Sequence, residues 1–310
     1  MPLAPQTRAA LAMLAAVASF AFMDAGLKHL AASYPPMQVA ALRGAASLPF
    51  ILAWVAATGA FATLWRVRWG LQAFRGLTSV MMIACFAYGL ARMPMSTAYT
   101  IFFIAPLLIT ALSVPLLGEK VGPRRWTAIV VGMIGVMVVM RPTGEGALSL
   151  AALAVVLAAT GYAVSAITVR VLSRTDSTAS MIVWLLFFLA LGAGLLAWPD
   201  WVPIRRADAW VIVGLGLAGA IGQYALTEAF RTGEASLLAP LEYTGLVWSL
   251  LLDLMIWGVL PDSVTWIGAG IIVASGLYLL RRDRIVHAGD ADPPPPPGTL
   301  GGDEAGTGNR

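Results

Sequence analysis

Apolar residues run along this chain in blocks of about twenty, separated by short connections rich in Pro, Gly or charge. A helix rises 1.5 Å per residue, so about 20 apolar residues cross a hydrocarbon layer roughly 30 Å thick. Ten blocks fit: 9–30, 36–57, 72–91, 95–117, 125–141, 148–171, 178–198, 207–230, 234–258 and 263–280. Helices are expected in all ten, because a helix satisfies its own backbone hydrogen bonds in lipid. A β-barrel would need ten-residue segments of alternating polarity, and the pattern has none. The first block follows Arg8 and resembles a secretory leader, but it is long enough to span and others like it follow. It is read as the first span. The expectation is an all-α integral membrane protein with ten transmembrane helices.

The pattern stops after Leu280. RRDR is followed by HAGDADPPPPPGTLGGDEAGTGNR, which has too few apolar residues for a core. Residues 281–310 are expected to be a disordered cytoplasmic tail.

Composition strengthens the membrane reading. The 310 residues are 59% hydrophobic and 12% charged, with a mean hydropathy of +0.81. Soluble domains are nearer 45–50% apolar and about 25% charged. The net charge of +4 is unevenly spread. With the N-terminus inside, Arg8, Arg66, Arg68, Arg75, Lys120, Arg124, Arg125, Arg170, Arg174, Arg231, Arg281, Arg282 and Arg284, with Arg310 in the tail, fall on the cytoplasmic side. Lys28, Arg92, Arg141, Arg205 and Arg206 fall outside. Cytoplasmic loops gather Lys and Arg, so both termini are expected inside, in a bacterial inner membrane. Trp65, Trp69, Trp198, Trp201, Trp210, Trp257 and Trp266 sit near span ends, as interfacial aromatics do.

Catalytic signatures are lacking. Two histidines and one cysteine, Cys85, write no zinc motif, and Cys85 in its apolar run reads as packing. No G-x-x-x-x-G-K-[ST] motif exists to drive transport with a nucleotide. Gly214–Gly219, GLGLAG, fits a dinucleotide fingerprint in letters only. It lies inside a span, where Gly216, Gly219, Ala220 and Gly222 let helices approach closely. No cofactor, metal, nucleic acid or enzymatic activity is expected.

The two halves repeat. MSTAYTIFFIAPLLITALSVPLLGEKVGPRRWTAIVVGMIGVMVVMRP closes the first, and EASLLAPLEYTGLVWSLLLDLMIWGVLPDSVTWIGAGIIVASGLYLLRR the second. One shift pairs Gly118 with Gly258 and Trp126 with Trp266. Residues 9–141 and 148–280 thus form two repeats of five spans. An odd number inverts the second copy in the membrane, an arrangement with a substrate site at the midplane in secondary transporters.

The candidate site residues follow from the cost of polar groups in lipid. Glu242, Gly245, Ser249 and Asp253 are spaced 3, 4 and 4 apart on one helix face. Pro240 beside Glu242 breaks the helix, as Pro106 does in span 4. Glu242 is read as a substrate or proton contact, against the alternative of a structural buried acid. Asp253 is read as a coupling or gating group. Tyr99, Phe103, Pro106, Thr110 and Ser113 form a stripe that lines a cavity or packs. Tyr243 and Trp248 are candidates to stack a planar ligand, and Gln223, Tyr224 and Tyr162 to touch substrate. Asp24 and Lys28 lie one turn apart and can pair. With Arg43 they form an outer gate, an anion contact or a structural anchor. Glu228 is expected to pair with Arg231, and His29 to be interfacial.

LGEKV with Trp126 and its following glycines, Lys28 and Arg43 around the first loop, and APLEYTGLVW carry a resemblance to the drug/metabolite transporter superfamily, in its ten-span EamA family. It covers residues 9–280. The resemblance implies ten helices around a cavity lined by spans 1, 3, 4, 6, 8 and 9, and alternating access. The chain departs from the family pattern at Gly258-Val259, where a Gly-Glu pair is usual; Gly118-Glu119 keeps it. That glutamate is read as a helix-end residue.

A secondary transporter of a small polar metabolite is therefore expected. Related families handle amino acids, riboflavin, S-adenosylmethionine, purine-like compounds and opine metallophores. Export is favoured over import, with protons as the candidate coupling ion. A membrane-embedded enzyme would need clustered catalytic groups, and a non-transporting subunit would have no use for the repeat. Monomer and homodimer both stay open.

Overall fold

The computed structural model describes residues 5–117, 123–140, 149–232 and 241–274. In chain order they form α1 (Pro5–Ala31), α2 (Pro36–Thr58), α3 (Trp69–Leu90), α4 (Met95–Phe102), α5 (Ala105–Leu117) and α6 (Pro123–Met140). Then come α7 (Leu150–Leu172), α8 (Thr178–Ala197), α9 (Ala209–Thr232), α10 (Thr244–Leu252) and α11 (Ser263–Ala274). No strand occurs among the described residues. Six helices, α1, α2, α3, α7, α8 and α9, are long and apolar enough to cross a membrane. The stretches 95–109, 244–257 and 263–274 are shorter apolar helices.

Local chemistry sets the boundaries. Pro36 opens α2, where its missing N–H is not needed, and Gly59 ends that helix at φ 67. Ser177 caps α8 by accepting from the Ser180 N–H at 3.1 Å. The single span expected over 95–117 is two helices, broken at Phe103 and Ile104. Pro106 has no N–H to offer the Phe102 carbonyl, so the chain turns just ahead of it and restarts. In the block expected over 234–258, Pro240 lies outside the described residues. From Leu241 on, a turn at Tyr243 precedes α10, and a π-helical turn, Asp253–Trp257, ends at Gly258 with φ 66. The 281–310 tail also lies outside the described residues, as do Gly118 and Glu119.

The helices pair between halves: α1 with α9, α2 with α8, and α3 with α7. Close approach depends on small residues. A Cβ on Gly216 of α9 would meet the Ala46 carbonyl of α2. One on Gly222 would lie 2.9 Å from the Phe20 ring of α1. This is the packing role expected of the GLGLAG stretch. Leu77, Leu195, Trp210 and Met255 are exposed on the outside, the surface that lipid would cover.

Candidate functional site

The two broken segments cross at their breaks. Phe103, at the end of α4, lies against Tyr243, at the start of α10, with centroids 5.3 Å apart and planes at 75°. The shift that pairs Gly118 with Gly258 also pairs Phe103 with Tyr243. Corresponding positions of the two halves therefore meet face to face. Edge-on packing of this kind suits the ring quadrupoles.

A chain of rings spreads from this crossing. Tyr99 packs on Phe103 at 6.0 Å and on Phe86 of α3 at 6.2 Å. Phe86 meets Phe102 at 5.3 Å, and Phe102 meets Tyr162 of α7 at 5.4 Å. Glu242 is half-buried and directly precedes Tyr243 in the chain. The Tyr243 hydroxyl is buried and has no hydrogen-bond partner. On the other flank, the Tyr99 hydroxyl donates to Asp24 Oδ2 at 2.7 Å. Arg43 attracts Asp24 at longer range and donates from Nε to Met23 Sδ at 3.2 Å. Gly245 makes room for the Tyr99 ring, since a Cβ there would sit 3.0 Å from it. Such a group offers ring faces to an organic molecule and carboxylates and hydroxyls to its polar atoms.

Glu242, Tyr243, Tyr99, Phe103, Tyr162, Asp24 and Arg43 are thus brought together. Two other residues make their ring contacts outside this group. Trp248 packs on Phe22, which is exposed, at 5.8 Å. Tyr224 stacks on Trp54 of α2 at 4.9 Å. Gln223 is buried within α9. The Thr110 and Ser113 side chains lie outside the described residues. Sequence reading missed Phe86 and Phe102, which look like ordinary apolar positions of their helices.

Asp24 and Lys28 are not partners, although they lie one turn apart. Lys28 Nζ instead donates to Asp253 Oδ1 at 2.8 Å and lies 4.2 Å from the Trp257 ring centroid. Asp253 is fully buried and also accepts from the backbone N–H groups of Met95 and Ser96, at 3.1 and 2.7 Å, and from Ser96 Oγ at 2.8 Å. An acid at the first turn of α4 satisfies donors that have no partner inside the helix and complements its dipole. The Gly245, Ser249 and Asp253 face is buried throughout. Ser96 was missed because a helix start shows in sequence, but not which distant side chain will cap it.

Two further sets of contacts join the halves, one at each end of the bundle. At the α1–α2 end, the Tyr34 hydroxyl donates to Asp208 Oδ2 at 2.6 Å and accepts from the Arg205 N–H at 3.0 Å. Arg205 Nε also donates to Asp208, at 2.9 Å, and these contacts hold its guanidinium above the ordinary range. Half-exposed His29 lies 3.5 Å from the same acid. Gln38 both donates to and accepts from the Val202 backbone. At the α2–α3 end, Gln72 donates to Asp176 at 2.8 Å, and Ser177 to Thr63 at 2.9 Å. Buried Arg75 donates to Ser165 Oγ and the Met181 carbonyl. Glu228 pairs with Arg231, as expected, at 3.0 Å.

Six helices long and apolar enough to cross a membrane, halves that pair helix with helix and a ring-lined polar centre fit a membrane transporter of small molecules. The chain belongs to the EamA-like transporter family, whose model matches twice, over residues 7–141 and 147–281. It is 30% identical over 276 residues to a riboflavin transporter of Vibrio cholerae, covering 88% of this chain and 92% of that one. It is 26% identical over 275 residues to a pseudopaline exporter of Pseudomonas aeruginosa, covering 88% and 96%. An S-adenosylmethionine uptake transporter of Rickettsia prowazekii is 29% identical over 215 residues, covering 69% and 71%. A solved crystal structure with 20% identity superposes with a TM-score of 0.67, covering 91% of this chain and all of that one, which speaks for the fold.

Proposed function

We propose that this protein is a secondary transporter that carries a small polar metabolite outward across a bacterial inner membrane. It works by alternating access between two inverted repeats of five spans, with both termini in the cytoplasm. Protons couple to the movement through Glu242. The single observation that carries the reading is the Phe103–Tyr243 contact: corresponding breaks of two spans cross beside a half-buried glutamate. Broken spans at a repeat interface are where transporters hold substrate.

The helix pairings support the inverted repeat. Exchanging α1, α2 and α3 for α7, α8 and α9 turns the α1–α9 pair into α7–α3 and maps α2–α8 onto itself. The same exchange turns the contacts of the α1–α2 connection with the α8–α9 connection into those of the α7–α8 connection with the α2–α3 connection. Contacts joining the halves at either end are the ones that alternating access would break in turn.

Import is the second reading, favoured by the uptake transporter among the relatives. Metabolite profiling of cells and medium tests both, comparing cells that overproduce the protein with cells that overproduce Glu242→Gln. A compound that leaves cells only with the native protein supports export; one that accumulates inside supports import. Identical profiles, with no uptake of a candidate panel into vesicles, would remove the transport reading. A proton gradient that neither drives nor follows substrate movement in vesicles would remove the coupling.

A further inference from the structure

The connection between α2 and α3 ends in Trp65-Arg66-Val67-Arg68-Trp69, two tryptophans enclosing two arginines. The two tryptophans close on a third. Trp65 meets Trp184 of α8 at 5.8 Å and Trp69 meets it at 4.6 Å, both edge to face, and their own centroids lie 6.4 Å apart. Trp184 Nε1 donates to the Leu64 carbonyl at 2.7 Å, which pins the connection to α8. Phe187 and Phe188 extend the cluster along α8, 5.5 and 5.9 Å from Trp184. Trp65, Trp69 and Phe187 are exposed at the surface of the bundle. Amphipathic rings at the end of a long apolar helix suit the boundary between hydrocarbon and headgroups.

Charge at this end is one-sided. Arg66 and Arg68 are exposed, and neither side chain forms an ion pair among the described residues. Arg174, exposed in the α7–α8 connection, is likewise unpaired among them. That connection lies against the first: Ser177 donates to the Thr63 hydroxyl at 2.9 Å, and the Arg68 N–H to Asp176 Oδ2 at 3.3 Å. Asp176 is the one acid in residues 59–72 and 170–182. It is buried and already accepts from Gln72, the Arg68 N–H and the Thr175 hydroxyl. The opposite end of the bundle differs, because Asp200 is exposed there and Arg205 is paired with Asp208. A guanidinium left without a carboxylate at a membrane boundary is suited to a phosphate, which its planar fork can grip with two hydrogen bonds. A free phosphate would use the arginines alone, whereas a phospholipid also covers the exposed rings.

We propose that the Trp65–Trp69 segment, together with Trp184 and Arg174, binds an anionic phospholipid, its headgroup phosphate on Arg66 and Arg68 and its acyl chains along Trp65, Trp69 and Phe187. The site uses none of the residues at the crossing of the broken spans. It requires the bundle to lie in a bilayer and does not require transport. The same segment carries contacts that join the two halves, so the bound lipid braces that end of the bundle.

Native mass spectrometry of the full chain in detergent, titrated with phosphatidylglycerol or with phosphatidylcholine of the same acyl chains, reads the preference. Phosphatidylglycerol is expected to bind about 25-fold tighter, roughly five-fold for each of Arg66 and Arg68. Arg66→Gln combined with Arg68→Gln is expected to make the two lipids equal. Arg206→Gln, at the opposite end, is expected to keep the preference. Thermal unfolding of the lipid-free variants checks that they are folded. In nanodiscs, replacing phosphatidylcholine by phosphatidylglycerol is expected to slow hydrogen exchange at residues 60–69 and not at 198–208. Equal affinity of the native chain for the two lipids, a preference that survives the double substitution or is lost with Arg206→Gln, or exchange slowed at both ends alike would overturn the assignment. Displacement of the lipid by an equal concentration of glycerol 1-phosphate would also overturn it, because the arginines would then hold a free anion without help from the rings.

Discussion

Lys28 and Asp253 form a 2.8 Å ion pair between residues 225 positions apart, one in each half of the chain. Asp253 also caps α4, so one side chain ties α1, α4 and α10 together. Both of its oxygens are engaged, Oδ1 by Lys28 and the Met95 N–H and Oδ2 by the N–H and hydroxyl of Ser96.

This arrangement predicts a stability effect. Asp253→Asn should destabilise the fold by about 3 kcal/mol, because it leaves Lys28 largely buried without its counter-charge. Adding Lys28→Met should recover part of that loss, since an Asn oxygen can still accept from α4. Thermal unfolding of the single and double variants in detergent measures the coupling; strictly additive losses would contradict the pair.

The Gly245 contact predicts an effect on the site itself. Gly245→Val should push the Tyr99 ring away from Asp24 and cost about 1–3 kcal/mol through overpacking. Transport into vesicles should fall more than stability does. Full transport with Gly245→Val would mean that the Tyr99–Asp24 bond is not needed.

Two glycines of α9 form a controlled pair. Gly216→Ala should destabilise by about 1–3 kcal/mol, because its Cβ meets the Ala46 backbone, which cannot rotate away. Gly214→Ala faces open space and should be neutral or stabilise by up to about 1 kcal/mol. Equal unfolding temperatures for the two variants would refute the close approach of α2 and α9.

At the α1–α2 end, Tyr34→Phe removes one donor to Asp208 and one acceptor for the Arg205 N–H. A loss of about 1–3 kcal/mol is expected, the range for leaving a buried polar group unsatisfied. Hydrogen exchange at residues 202–208 should quicken, while exchange at 60–72, at the opposite end, should not change. Uniform quickening would show that the latch is not local.

Much of the site was legible because polar side chains are rare in apolar spans. Glu242, Tyr243, Tyr99, Phe103, Tyr162, Asp24 and Arg43 stand out against their surroundings, and the structure gathers them. Trp248 and Tyr224 stood out equally but make their ring contacts with Phe22 and Trp54. A helical period places a residue on a face without saying which neighbour that face meets. Phe86 and Phe102 went unseen for the converse reason: an aromatic in a greasy helix carries no mark of what it touches.

The all-helical character of the described residues and the six long apolar helices were determined by the sequence alone, because hydrocarbon penalises every unsatisfied backbone group and leaves helices as the available solution. The break ahead of Pro106 was equally local, since it follows from a missing N–H. The partners of the charges were decided only by tertiary structure. Lys28 chose Asp253 over Asp24, which lies one turn away, because α10 and the start of α4 deliver a buried acid to it. Pair energies depend on where folding puts the charges and how much water it removes. Neither quantity is written in any one segment.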